Sequence, residues 1–192
     1  MSLKELTKEQ HTNAERQKFV PILMSGEIEV NVYFHYLVNQ HACYSALENC
    51  QFNLPDDRLK RVSAIGKDTE ELKLMGPIPN TCYNLEPSTK KYVKYVKNKI
   101  KDEDQFLAHV YVRYLGDLRG GQMIAKKVPG RGHYYQFEEP KELAESIYSK
   151  LHDGMVDEAK LVFDFATDLF KELYERHFSN PKRVRRKTTS SP

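Results

Sequence analysis

The chain has 192 residues, of which 40% are hydrophobic, so it is long enough to bury a core and too apolar to be disordered throughout. Part of its net charge of +3 sits in the terminal run Lys182, Arg183, Arg185, Arg186 and Lys187, which leaves a nearly neutral body and no indication of nucleic-acid binding. No window approaches the roughly 18 apolar residues of a membrane span, MSLKELTKEQ lacks a secretory apolar stretch, and the three cysteines Cys43, Cys50 and Cys82 show no CxxC spacing. The expectation is a cytoplasmic monomer with reduced thiols, without a disulfide framework or a zinc site.

Ser2 and Glu5 have capping-box spacing, and residues from Leu3 to about Lys18 contain no Gly or Pro, which predicts an opening helix that Pro21 and Gly26 end. Glu27 to Phe52 again lacks a breaker, and Ile28, Val32, Leu37, Ala42, Ala46 and Leu47 recur at helical spacing, predicting a long buried helix. A third helix runs from Pro55 to about Met75, with a kink expected at Gly66, and the proline-rich GPIPNTCYNLEP that follows reads as a loop. Ser88 caps a helix to Ile100, and Asp102 or Asp104 caps another to about Val128, where PGRG breaks it. After a connector with Tyr134, Tyr135 and Phe137, Pro140 starts a helix to about His152, and the apolar positions from Val156 to Leu173 define the last one. The fold class is all-α, one domain over residues 1–178, with a disordered basic tail at 179–192.

The segment AHVYVRYLGDLRGGQMIAKKV looks helical yet holds Gly116, Gly120 and Gly121. Each interior glycine costs about 1 kcal/mol relative to alanine. Gly116 and Gly120 share a helix face, and two readings stay open: close packing against another helix, or approach of a flat ligand. Asp117 follows the first glycine and stands one turn from Arg113, either as a surface ion pair or as polar groups beside the bared backbone. On the first helix Lys4, Lys8, His11 and Glu15 form one stripe. A lone histidine on a polar face is ordinarily a solvent-exposed residue. The functional alternative makes His11 a metal ligand and the lysines contacts for anionic groups, a pattern that haem fits, with its iron, flat ring and two propionates.

TKEQHTNAE (7–15), HVYVRYLGDLRGGQ (109–122) and VDEAKLVFDFATDLFKEL (156–173) resemble the proximal, distal and last helices of the haem oxygenase family, in its soluble bacterial or photosynthetic type. The resemblance implies haem held between a proximal helix and a glycine-kinked distal helix. It makes His11 the axial iron ligand, Glu15 its neighbour, and Lys4 and Lys8 propionate contacts. Tyr111, Arg113 and Asp117 would form a distal hydrogen-bonded network, with Gly116 and Gly120 over the ring. The reaction so implied consumes haem, as both cofactor and substrate, with O2 and electrons from an external donor, giving biliverdin (the alpha isomer), carbon monoxide and ferrous iron. Arg119 departs from the family, which commonly has a small residue there. Glu145 and Ser149, with Lys150 alongside, stand where animal members place two basic residues toward the propionates.

Two other readings compete. One is a haem carrier or sensor on the same fold without turnover, against which the retained Asp117 argues. The other is an unrelated enzyme on a similar bundle, of the thiaminase-like kind, using Cys43 or Cys50, although these read better as core thiols. A ferredoxin is the expected electron donor, because Lys4, Lys8, Arg113, Arg119, Lys126 and Lys127 could form a basic rim, and a bilin reductase could take the product.

Overall fold

The computed structural model describes residues 2–179, and among these every regular element is helical. The tail expected from residue 179 therefore lies, apart from Ser179, outside the described residues. Ser2 caps α1 (Leu3–Leu6) by the reciprocal pair its spacing predicts: its Oγ accepts the Glu5 N–H at 3.4 Å, and the Glu5 carboxylate accepts the Ser2 N–H at 2.7 Å. Thr7 then separates α1 from α2 (Lys8–Glu15), while the helical bonds Thr7 N–H to Leu3 O and His11 N–H to Thr7 O continue at 3.0 Å. The two segments are one rod with a local distortion. Pro21 does not end this region as expected. It occupies the first turn of α3 (Phe19–Leu23), where its missing N–H leaves no bond unmade, and the chain turns instead at Gly26, whose φ of +80° suits glycine.

The long helix α4 (Val30–Glu48) is shorter at both ends than its apolar pattern suggested, and it is buried around most of its circumference. It runs through the core against α5 (Val62–Met75) and α6 (Pro87–Lys99). Gly66 lies inside α5 without interrupting it. Ser88, the expected cap, falls instead in the first turn of α6, where its N–H and hydroxyl donate to Glu172 at 3.0 and 2.5 Å.

Asp102 caps α7 (Glu103–Val110), its carboxylate accepting the Gln105 N–H at 2.8 Å. The helix continues through a π-helical turn, Tyr111–Leu115, into α8 (Gly116–Ala125). The irregularity thus falls just before Gly116, whose own φ and ψ of −57° and −47° are helical. α9 (Pro140–Tyr148) starts on proline, and α10 (Val156–Phe178) packs on α2, α6 and α7. No helix among the described residues is long and apolar enough to cross a membrane.

Candidate functional site

His11 stands on the outer face of α2 with its side chain 54% exposed. Its ring meets the buried Phe163 of α10 edge-on at 5.6 Å, and its Nδ1 lies 3.4 Å from Glu15 Oε2. Such a contact orients the imidazole and leaves Nε2 for another partner. Lys4 and Lys8 are exposed and form no ion pair among the described residues. Behind this face Thr7 is fully buried, and its hydroxyl bonds both Leu3 O at 2.8 Å and the Tyr111 hydroxyl at 3.1 Å. Tyr111 also meets Phe163, so the π-helical turn and the helix bearing His11 are joined at one place.

From that junction the chain runs into α8. A Cβ built on Gly116 or Gly120 would meet nothing within 4 Å, so neither glycine exists to admit a neighbouring helix. Gly121 differs. A Cβ there would lie 2.5 Å from Tyr135 Cδ1, which makes this glycine a packing residue. Of the two readings open for Gly116 and Gly120, close packing against another helix does not hold, whereas Gly121 packs against the 3-10 turn His133–Tyr135.

Asp117 turns away from the open face. The Tyr44 hydroxyl donates to its Oδ2 and the Tyr134 hydroxyl to its Oδ1 at 3.1 Å, and the two hydroxyls are 3.3 Å apart. Burial pushes its carboxyl up to about 7, although the two hydroxyls and the Arg113 and Arg61 charges pull the other way. Arg113 is buried too, so it makes no surface ion pair with Asp117: its Nη1 donates to Gln40 Oε1 at 3.1 Å and its guanidinium lies 4.0 Å from the Tyr92 ring. Tyr92 is fixed in turn by His109 Nδ1 at 2.7 Å, and His109 Nε2 by Glu158 Oε1 at 2.9 Å. By their hydrogen bonds the distal residues therefore fall into three groups rather than one network: Asp117 with Tyr44 and Tyr134, Arg113 with Gln40 beside Tyr92, and Tyr111 with Thr7. Tyr44, Tyr134, Gln40, Tyr92, His109 and Glu158 escaped sequence reasoning because they come from separate elements that only the fold brings together.

Arg119 lies over the Tyr148 ring at 5.4 Å, bridging α8 to α9, and Lys150 pairs with Glu103 at 3.6 Å. A cleft of about 340 Å³ between these parts is lined by Leu3, Lys4, Tyr111, Tyr148 and His152 among others. A second, of about 540 Å³, lies between α4 and α6 and is lined by Cys50 but by none of the predicted haem-site residues. Burial pushes the Cys43 and Cys50 thiols up, opposite to what a nucleophile needs.

An exposed imidazole, a helix face bared by two glycines and a carboxyl pushed up to about 7 thus stand on the helices of one all-helical protein. A family model described as "Heme oxygenase" matches residues 1–172. The chain belongs to the haem oxygenase family and is an enzyme of that family. Heme oxygenase from Guillardia theta is 29% identical over 202 residues, covering 90% of this chain and 85% of that protein. Heme oxygenase 2 from Oryctolagus cuniculus is also 29% identical, over 89% of this chain, which spans 64% of that longer protein. In structure, heme oxygenase-1 from the cyanobacterium Synechocystis sp. PCC6803 in complex with heme superposes with a TM-score of 0.77 at 23% identity, over 97% of this chain and 96% of that one, a likeness of fold. Heme oxygenase from Leptospira interrogans gives 0.74 at 26% identity, over 90% of this chain and all of that one (100%).

Proposed function

We propose that this enzyme cleaves haem with O2 and reducing equivalents to biliverdin, the alpha isomer, with carbon monoxide and ferrous iron as the other products. The observation that carries the reading is the juxtaposition of two open glycines with a buried carboxyl pushed up to about 7, one residue from Gly116 on the same helix. Haem, when bound, supplies the iron at which oxygen is activated. His11 would hold the haem iron through Nε2, because the Glu15 carboxylate lies on the Nδ1 side of the ring at 3.4 Å. Lys4 and Lys8, exposed and unpaired among the described residues, suit the two propionates. Gly116 and Gly120 let a flat ring approach the backbone of α8.

Asp117 holds its proton over part of the time at neutral pH, with Tyr44 and Tyr134 fixing both carboxyl oxygens. That is the pKa range in which a carboxyl both gives and regains a proton efficiently. The same network argues against a haem carrier without turnover. A ferredoxin as donor, a bilin reductase as consumer and a cytoplasmic setting belong to this proposal. Single-turnover reaction with haem and reductant, followed by chromatography of the bilin, tests product and isomer together. His11→Ala should lower bilin yield by about a hundredfold or more while leaving helix content unchanged, since alanine is the better helix former. Full yield without added imidazole would exclude His11 as ligand.

A further inference from the structure

The geometry points to a zinc site, separate from the haem site, formed by His35, Cys82 and His177. These residues come from α4, from the 3-10 turn Asn80–Tyr83 and from the last turn of α10. Their ligand atoms lie within 4.8 Å of one another, and the three residues are 0%, 2% and 7% exposed. No spacing in the sequence announced the cluster, because each ligand is supplied by a different element.

The cluster is oriented as well as compact. His35 Nε2 donates to Asn84 O at 2.9 Å, so its neutral ring presents a bare Nδ1, and this atom faces His177 Nε2 at 2.9 Å. Burial keeps the His35 imidazole neutral by lowering its pKa. An imidazole whose far nitrogen is bound by a backbone carbonyl is the usual supported form of a metal ligand. The carbonyl is itself fixed: Asn39, one turn along α4 from His35, accepts the Glu86 N–H at 2.8 Å and so pins the segment that holds Asn84. Glu86 Oε1 approaches His35 Nε2 at 3.4 Å, and its carboxylate is held by the Arg176 guanidinium, which cancels its charge.

Two imidazoles and a thiolate suit a borderline-soft d10 ion and not calcium or magnesium, which take oxygen ligands. Zinc would gain three protein ligands and complete its four with water. On binding, the proton between the imidazoles moves from Nε2 to Nδ1 of His177, and the Cys82 thiol loses its proton, so one proton is released per ion. The ion would tie α4, which carries Gln40 and Tyr44, to α10, which carries Glu158 and Phe163.

The test titrates the metal-free, haem-free full-length protein with Zn2+, and with Co2+ as a visible substitute. One equivalent should bind, with one proton released and a thiolate-to-cobalt charge-transfer band, and the melting temperature should rise by several degrees at a hundredfold excess over Kd. Cys82→Ser should remove the cobalt band and weaken zinc binding about a hundredfold while still giving a Soret band with haem, which shows that it is folded. His177→Gln should weaken zinc binding similarly and decides the matter if the serine variant does not fold. His11→Ala should bind zinc as the wild type does. No bound zinc, binding unchanged by both cluster substitutions, or binding lost with His11 would each overturn the site.

Discussion

At Asp117 two tyrosine hydroxyls donate to the carboxyl, yet its proton affinity is raised, because desolvation outweighs both bonds. An acid with a folded-state pKa near 7 and an unfolded value near 3.8 favours folding most when protonated, below about pH 4. That advantage is lost as pH rises through about 7, above which the buried carboxylate is a constant penalty. Asp117→Asn keeps the shape and removes the titration, so in thermal melts the variant should gain on the wild type between about pH 4 and pH 7, ending several degrees higher at pH 8. A difference that does not vary with pH would mean that Asp117 does not titrate in this range. The same variant should still give a Soret band, while its bilin yield falls on the order of a hundredfold for want of a proton source. Asp117 was legible in the sequence because it adjoins Gly116. Tyr44 and Tyr134, at 73 and 17 residues' distance along the chain, were not, since only the fold brings their hydroxyls to one carboxyl.

Among the helices, the run from Glu103 to Ala125 shows how an element can be locally unfavourable for a functional end. Gly116 is in helical conformation with open space over it, so Gly116→Ala should stabilise the haem-free protein by about 1 kcal/mol, or roughly 2–4 °C in melting temperature. The added methyl would occupy the space a flat ligand needs, so haem affinity by Soret titration should fall. Gly121→Ala should do the reverse, costing about 1–3 kcal/mol against Tyr135. If both substitutions changed stability in the same direction, the division between open and packed glycines would be wrong. The element order was readable because caps, breakers and apolar spacing agree along most of the chain. Three details were not. Pro21 reads as a stop although the first turn of a helix tolerates it, and Thr7 departs from helical geometry where its hydroxyl bonds Tyr111 from a distant part of the chain. The π-helical turn carries no composition signal, being set by the burial of Tyr111, Arg113, Tyr114 and Leu115 together.

For the molecule as a whole, the question is how an electron donor finds the site. The rim expected from the sequence loses Arg113, whose buried guanidinium lies against Tyr92, and Arg119 is engaged with Tyr148. Lys4 and Lys8 remain exposed on α1 and α2, and Lys126 and Lys127 remain exposed just past the end of α8. On a chain with a net charge of only +3, a group of exposed lysines on the segments that bear the site residues would set the field there more than the total does. Steering by such a group acts over about a Debye length, roughly 10 Å at 0.1 M salt, and changes encounter rate more than the strength of the docked complex. Reduction by an acidic ferredoxin should therefore slow by about tenfold or more when salt is raised well above 0.1 M, whereas reduction by a small uncharged reductant should hardly change. Lys126→Glu with Lys127→Glu should lower the ferredoxin-dependent rate at low salt and flatten its salt dependence, leaving haem affinity and single-turnover bilin yield as in the wild type. Stopped-flow reduction at several salt concentrations measures this directly. A ferredoxin rate that ignores both salt and the charge reversal would place donor docking on another face of the molecule.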